Sequence, residues 1–288
     1  MKDNILSQVV ITGASGFIGS NLLSQAKFYP DFKLIPVSRK KLPNYVFVED
    51  YKSSPKSDIL IYLSEDSNRN IVSKDSEHYL NNNKNTLSEL LQKNYSKFIY
   101  VSSALIYGDK NNFSNNIKTN IVNDSLYTNL KSQSERIVLE HPNGIVVRLS
   151  NAYGPGMSKR NVISTIIDQI PGDGDLLIKS SSPIRDFVWI TDVVDGIMKL
   201  ANLSTDQIIR NKLFNIGTDV GTSIANIAKI ALEVAKQDYR QITPTESSRN
   251  FSKIVVDYSC INSQTGWQPK VDILSGLTNL IMNKIKGI

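Results

Sequence analysis

The chain has 288 residues, 40% of them hydrophobic and 21% charged, the balance of a folded protein with a sizeable core rather than a disordered one. Its net charge of +6 suits anionic ligands, but there is no dense basic run and no aromatic-interleaved basic stretch, which removes the footprint of a nucleic-acid surface. One cysteine, Cys260, excludes a disulfide framework within the chain, and two distant histidines, His78 and His141, leave no Cys/His metal set.

The first apolar run, 9–11, stops at Thr12-Gly13 without the design of a secretory leader. No stretch approaches the ~20 apolar residues of a membrane span. The expectation is a cytoplasmic protein with neither nucleic acid nor membrane as a partner.

Residues 8–11 read as a buried strand and 17–27 as the helix that follows it. Strands are expected at 33–37 and 58–63, a helix at 79–94, a strand at 97–102, a helix at 126–140 and a strand at 144–149. Short apolar strands alternating with helices predict an α/β fold: a Rossmann-like, doubly wound parallel sheet with helices on both faces. Ligands of such a sheet sit at the carboxyl ends of its strands. The second half is less regular, with a helix at 162–170, a turn cluster at 171–175, and strands at 187–190 and 212–216. Amphipathic helices follow at 224–236 and 273–285. This pattern places a dinucleotide-binding domain in 1–150 with a returning segment near 186–217. A smaller α/β substrate domain takes 151–185 and 218–288. The asparagine-rich patches 81–83 and 111–116 are given no function.

Between the first strand and the first helix lies Thr12-Gly13-Ala14-Ser15-Gly16-Phe17-Ile18-Gly19. Gly13 permits a tight turn, Gly16 lets the backbone approach a pyrophosphate, and Gly19 allows close helix–strand packing. Ser15, Phe17 and Ile18 complete a phosphate-facing helix N-terminus. The G-x-x-G-x-x-G spacing resembles the short-chain dehydrogenase/reductase family, in its extended, nucleotide-sugar-modifying branch.

Tyr127 and Lys131 stand four apart, on one face of the expected helix. A free tyrosine is a poor base at neutral pH, and a neighbouring ammonium favours its phenolate. Such a tyrosine can take a proton from a sugar hydroxyl or return one to a carbonyl, and the lysine can also hold the nicotinamide ribose. Upstream, Tyr100-Val101-Ser102-Ser103-Ala104-Leu105-Ile106-Tyr107-Gly108 resembles the family strand that ends in Tyr-Gly, and the resemblance makes Ser103 the catalytic serine. Arg148-Leu149-Ser150-Asn151-Ala152-Tyr153-Gly154-Pro155 and Arg185-Asp186-Phe187-Val188-Trp189 resemble two further family motifs, and Phe214-Asn215-Ile216-Gly217 resembles the strand that rejoins the sheet. The resemblance assigns Asn151, Arg185 and Arg249 to the substrate, with Arg185 on its phosphates. It also implies a homodimer and a nucleotide-diphosphate sugar as the bound partner.

The chain departs from the family at several places. Leu130 stands where serine often precedes the lysine, and Asp124-Ser125 and Thr128 flank the tyrosine in place of small residues and prolines. Trp189 replaces a histidine. Tyr62-Leu63-Ser64-Glu65 stands where His-Leu-Ala-Ala is common, with Leu63 beside the cofactor. After the second strand, Ser38-Arg39-Lys40-Lys41 offers no acid for an adenosine ribose; Arg39 can instead receive a 2′-phosphate. That tilts the cofactor to NADP over NAD and the reaction to a 4-ketoreductase of a nucleotide-activated deoxyhexose. A 4-epimerase with tightly held NAD is the alternative, and a non-catalytic NAD(P)-binding sensor a second one. A dehydratase needs a further acid–base pair, for which the residues around the tyrosine supply none.

Overall fold

A computed structural model describes residues 6–65, 76–247 and 251–286. The first half runs β1 (Ser7–Thr12), α1 (Phe17–Ser24), β2 (Phe32–Ser38), β3 (Val46–Phe47), β4 (Ile59–Tyr62), α2 (Ser76–Leu91), β5 (Lys97–Ser103), α3 (Leu126–Glu140) and β6 (Gly144–Leu149). There follow β7 (Asn151–Tyr153), α4 (Val162–Ile167), β8 (Leu176–Ile178), β9 (Ile184–Trp189), α5 (Ile190–Ala201), α6 (Thr205–Arg210) and β10 (Leu213–Ile216). The chain ends with β11 (Gly221–Ser223), α7 (Ile224–Val234), β12 (Ile242–Pro244), β13 (Lys253–Ile254), α8 (Ser259–Thr265) and α9 (Ile273–Lys286).

Seven strands form one parallel sheet in the order β10-β6-β5-β4-β1-β2-β3. Alternate residues of its strands enter two different cores. Val9, Ile11, Ile59, Ile61, Ile99, Val101, Ile145 and Val147 join Leu22 of α1 and Val193 and Ile197 of α5 on one face. Val10, Leu60, Phe98, Tyr100 and Val146 join Leu87 and Leu90 of α2 and Val138 of α3 on the other. A strand buried on both faces cannot show an apolar–polar alternation, which is why these strands read as continuous apolar runs. Each buried Val, Leu or Ile contributes roughly 1.5–3 kcal/mol of burial. The doubly wound Rossmann-like fold expected from the sequence is therefore present. The order of connection reverses between β1 and β4, which opens a crevice beyond their carboxyl ends.

A second sheet is built on β9, which pairs antiparallel with β11 and parallel with β13 and β7. Within 186–217, only β10 joins the large sheet, beside β6. The helix α5 follows β9 with no intervening turn, and its N-cap, Trp189, makes no side-chain cap bond. Without a turn or capping residue, the sequence offered no boundary there, and Ile190 reads as a strand end. Its apolar positions 190, 193, 194, 197 and 200 nonetheless recur at helical spacing. Among the described residues, no helix is long and apolar enough to cross a membrane.

Candidate functional site

The crevice begins where β1 ends. Gly13 turns the chain with φ +66°, and a Cβ there would lie 2.8 Å from the carbonyl oxygen of Leu63. A Cβ on Gly19 would lie 2.5 Å from the Cα of Ala14, so α1 can approach β1 only with glycine at that place. Gly16 caps α1 without a side-chain hydrogen bond, which leaves the first N–H groups of that helix for an anion. Gly13, Ser15, Gly16, Ser38, Arg39 and Leu63 line a cavity of about 890 Å³. A second cavity of about 340 Å³ shares Gly13, Gly16 and Leu63 and adds Phe17, Ile18 and Gly19. A backbone cradle, an uncapped helix start and a groove in two parts fit a dinucleotide.

At the far end of the groove, Ser38 accepts a hydrogen bond from the Lys40 N–H at 2.9 Å, and its Oγ lies 3.4 Å from that of Ser15. The Arg39 guanidinium stands 5.3 Å from the ring centre of Tyr51. Glu49 and Asp50 line the same cavity. The sequence reading missed them because they follow β3, a strand of two residues with no signal of its own.

The smaller cavity brings Ser103, Tyr127 and Lys131 together. Ser103 closes β5, and its Oγ accepts from the Leu105 N–H at 3.2 Å. Helix α3 starts on a capping box: Ser125 accepts from the Thr128 N–H, and Thr128 Oγ1 accepts from the Ser125 N–H. Asp124 also accepts from the Thr128 hydroxyl, at 3.2 Å. The residues that depart from the family pattern around the tyrosine are thus the helix cap. Tyr127, Lys131 and Glu135 then recur at four-residue intervals and are buried. Glu135 holds Arg148 through three contacts of 2.7–3.1 Å and accepts from Ser102 at 2.6 Å, tying α3 to β5 and β6 beneath the site.

Glu65, just after β4, ends the segment Tyr62-Leu63-Ser64-Glu65 that departs from the family pattern. Its Oε2 pairs with the Lys131 ammonium and accepts from the Tyr100 hydroxyl. Its Oε1 accepts from Ser134 at 2.6 Å and Asn83 at 2.8 Å. Burial works against the Lys131 ammonium, but Glu65 together with Tyr127 and Tyr79 holds the group above the usual lysine range. Burial, then Glu65, push Tyr100 well up. Asn83 belongs to a patch to which the sequence reading gave no function.

A third cavity, of about 730 Å³, is lined by Asn151 and Arg185 together with Arg160, Lys179 and Asp109. Asn151 donates to the Asp186 carbonyl at 3.2 Å. Arg185 donates to the Ile184 and Ser252 carbonyls and, at 2.8 Å, to the Ser252 hydroxyl, which in turn donates to Asp109 at 2.7 Å. Arg160 and Lys179 were missed; they sit between regular elements, where no periodicity selects them. Arg249 lies outside the described residues. Among the described residues, no cluster of His, Cys, Asp or Glu is arranged to hold a metal.

The model of the NAD dependent epimerase/dehydratase family matches residues 9–217. A dTDP-D-glucose 4,6-dehydratase of Dictyostelium discoideum is 27% identical, with 81% of this chain and 64% of that protein covered. The chain thus spans somewhat less than two thirds of that relative. A GDP-6-deoxy-D-talose 4-dehydrogenase of Aggregatibacter actinomycetemcomitans is 26% identical, over 79% of this chain and 80% of the relative. Two solved structures show the same fold. A UDP-glucose 4-epimerase of Thermotoga maritima superposes with a TM-score of 0.81 at 22% identity, covering 97% of this chain and 99% of that one. RMD of Pseudomonas aeruginosa, complexed with NADPH, gives 0.81 at 19%, covering 98% and 100%.

Proposed function

Because the chain belongs to the NAD dependent epimerase/dehydratase family, we propose that it is an NADP-dependent 4-ketoreductase of a nucleotide-activated deoxyhexose. The observation that carries this reading is the content of the cavity at the hydride end. It joins the Ser103 and Tyr127 hydroxyls to the Lys131 ammonium. Among the described residues, the one acid lining it is Glu65, whose oxygens are engaged by four donors. Ala104 and Leu105, which follow Ser103, add no titratable group. The cavity therefore offers proton transfer beside a hydride site, but no second acid–base pair for eliminating water.

Reduction then needs two deliveries to a ketone. A bound reduced dinucleotide supplies hydride to the carbon. Tyr127 gives its proton to the ketone oxygen, which Ser103 holds by a hydrogen bond. Lys131 stands beside Tyr127, with Nζ 5.8 Å from its ring centre. Gly13, Gly16 and the start of α1 hold the pyrophosphate, with Ser15, Phe17, Ile18 and Gly19 shaping the loop and Leu63 closing its far side. Asn151 and Arg185 line the cavity for the sugar nucleotide, and the Arg185 fork suits its diphosphate.

Arg39 at the far end of the groove supports NADP over NAD, since a guanidinium favours a 2′-phosphate. Glu49 and Asp50 in the same cavity favour the second reading, a 4-epimerase that retains NAD. Titration decides between them. NADPH is expected to bind more tightly than NADH, and Arg39→Asp to reverse that order. Bound NAD in the purified protein, with a preference for it in titration, would make the epimerase the better reading.

A further inference from the structure

Glu65 touches both parts of the groove, since it lines the large cavity and the hydride-end cavity alike. Its ion pair with Lys131 is almost closed to water: the two side chains are 2% and 5% exposed. An isolated charge so buried is costly, whereas a contact pair with its remaining lone pairs satisfied is tolerated. Here the satisfaction is complete in kind. Lys131 and Tyr100 face one carboxylate oxygen, and Ser134 and Asn83 the other. Lys131 has a second acceptor in the Val101 carbonyl at 3.5 Å, and its ammonium lies 5.1 Å from the Tyr100 ring centre. Three elements supply the donors and the cation, α2 through Asn83, β5 through Tyr100, and α3 through Lys131 and Ser134, around the carboxylate that follows β4.

We propose that Glu65 is a positioning residue that pins and charge-balances Lys131, and so keeps the hydride end of the groove electrically neutral. The inference rests on the proposed hydride site at Tyr127. The groups that bear on this pair are Tyr62 on β4, Tyr79 on α2, Tyr100 on β5, and Tyr127 and Glu135 on α3. The Glu135 charge is answered by Arg148. Glu65 and Lys131 are thus the balanced charges closest to the reacting groups.

One consequence follows. An ammonium without its counter-ion repels the positive oxidised nicotinamide and leaves the neutral reduced ring untouched. With Glu65 present, this repulsion is muted, and oxidised and reduced cofactor are accepted on similar electrostatic terms.

The test uses the full chain carrying Glu65→Gln, which keeps the shape of the side chain. Oxidised and reduced cofactor are titrated separately at pH 8 by calorimetry. The ratio of oxidised to reduced Kd is expected to rise about tenfold over wild type. Removing both charges, in Glu65→Gln/Lys131→Met, is expected to bring the ratio back to within about twofold of wild type. If the single variant does not fold, Lys131→Met alone serves in its place, and its ratio is expected to fall, because an unbalanced carboxylate attracts the oxidised ring. An equal loss of affinity for both cofactor forms, or an unchanged ratio, overturns the proposal and leaves Glu65 a packing residue. Because the ratio is read without any sugar, a chain that binds cofactor in this way yet reduces no nucleotide sugar would refute the reductase and not the role of Glu65.

Discussion

Tyr127 and Ser103 come from different elements, a helix start and a strand end, and share one cavity with Lys131. Of the two hydroxyls, only the tyrosine has a cation one helical turn away. Tyr127→Phe removes the hydroxyl and keeps the ring. It is expected to lower kcat by about 100-fold or more while cofactor Kd is unchanged, read by steady-state kinetics and fluorescence titration. A variant that keeps more than about a tenth of wild-type turnover removes Tyr127 from the proton transfer. These residues were legible because their motifs are local, four residues on a helix or the last turn of a strand. Glu65 was legible only as an oddity. Its partners come from α2, β5 and α3, and no local spacing announces a contact between elements.

At the scale of the element, α3 shows what the sequence pattern around the tyrosine is for. Ser125 and Thr128 exchange hydrogen bonds at the helix start, one turn ahead of Lys131. Ser125→Ala removes the acceptor for the Thr128 N–H and is expected to cost about 1 kcal/mol, seen as a lower urea midpoint with unchanged slope. An unchanged midpoint would show that the Ser125 hydroxyl contributes nothing to the stability of this helix start. The central strands β1, β4, β5 and β6 were legible because both of their faces are buried, which selects unbroken apolar runs. The strands β3, β7, β8, β11, β12 and β13 were not, having two or three residues each, too few for any period. The C-terminal limits of α1 and α4 also fall short of the expected 27 and 170, at Ser24 and Ile167, where the helical pattern continues but the backbone tightens into turns.

At the scale of the molecule, the seven-stranded sheet and the four-stranded sheet built on β9 share one core. Val188 and Trp189 of β9 and Val193 of α5 belong to the same apolar cluster as Val9 and Ile11 of β1. A buried carboxylate ties their edges. Asp186, on β9, accepts from the Thr218 N–H at 2.9 and 3.1 Å, from the Thr218 hydroxyl at 2.7 Å and from the Val256 N–H at 3.2 Å. Thr218 follows β10 of the large sheet, and Val256 follows β13 of the small one. Burial raises the Asp186 carboxyl from 3.8 to about 6, against the pull of those donors. The folded state therefore keeps this proton between about pH 4 and 6, where the unfolded chain has lost it. Its contribution to stability is fully present below pH 4 and is lost as pH rises through 6. Two units or so of raised affinity correspond to about 3 kcal/mol at neutral pH. Asp186→Asn removes the titration and, with it, this pH dependence, although its amide also disturbs the donors around it. Urea unfolding of both proteins at pH 4, 5, 6 and 7 separates the two effects. The disturbance shifts all four differences alike, whereas the titration makes the variant gain on wild type by about 3 kcal/mol from pH 4 to 7. A difference that stays constant across that window would show that Asp186 is ionised throughout, and that its three donors, not its proton, hold the sheets together.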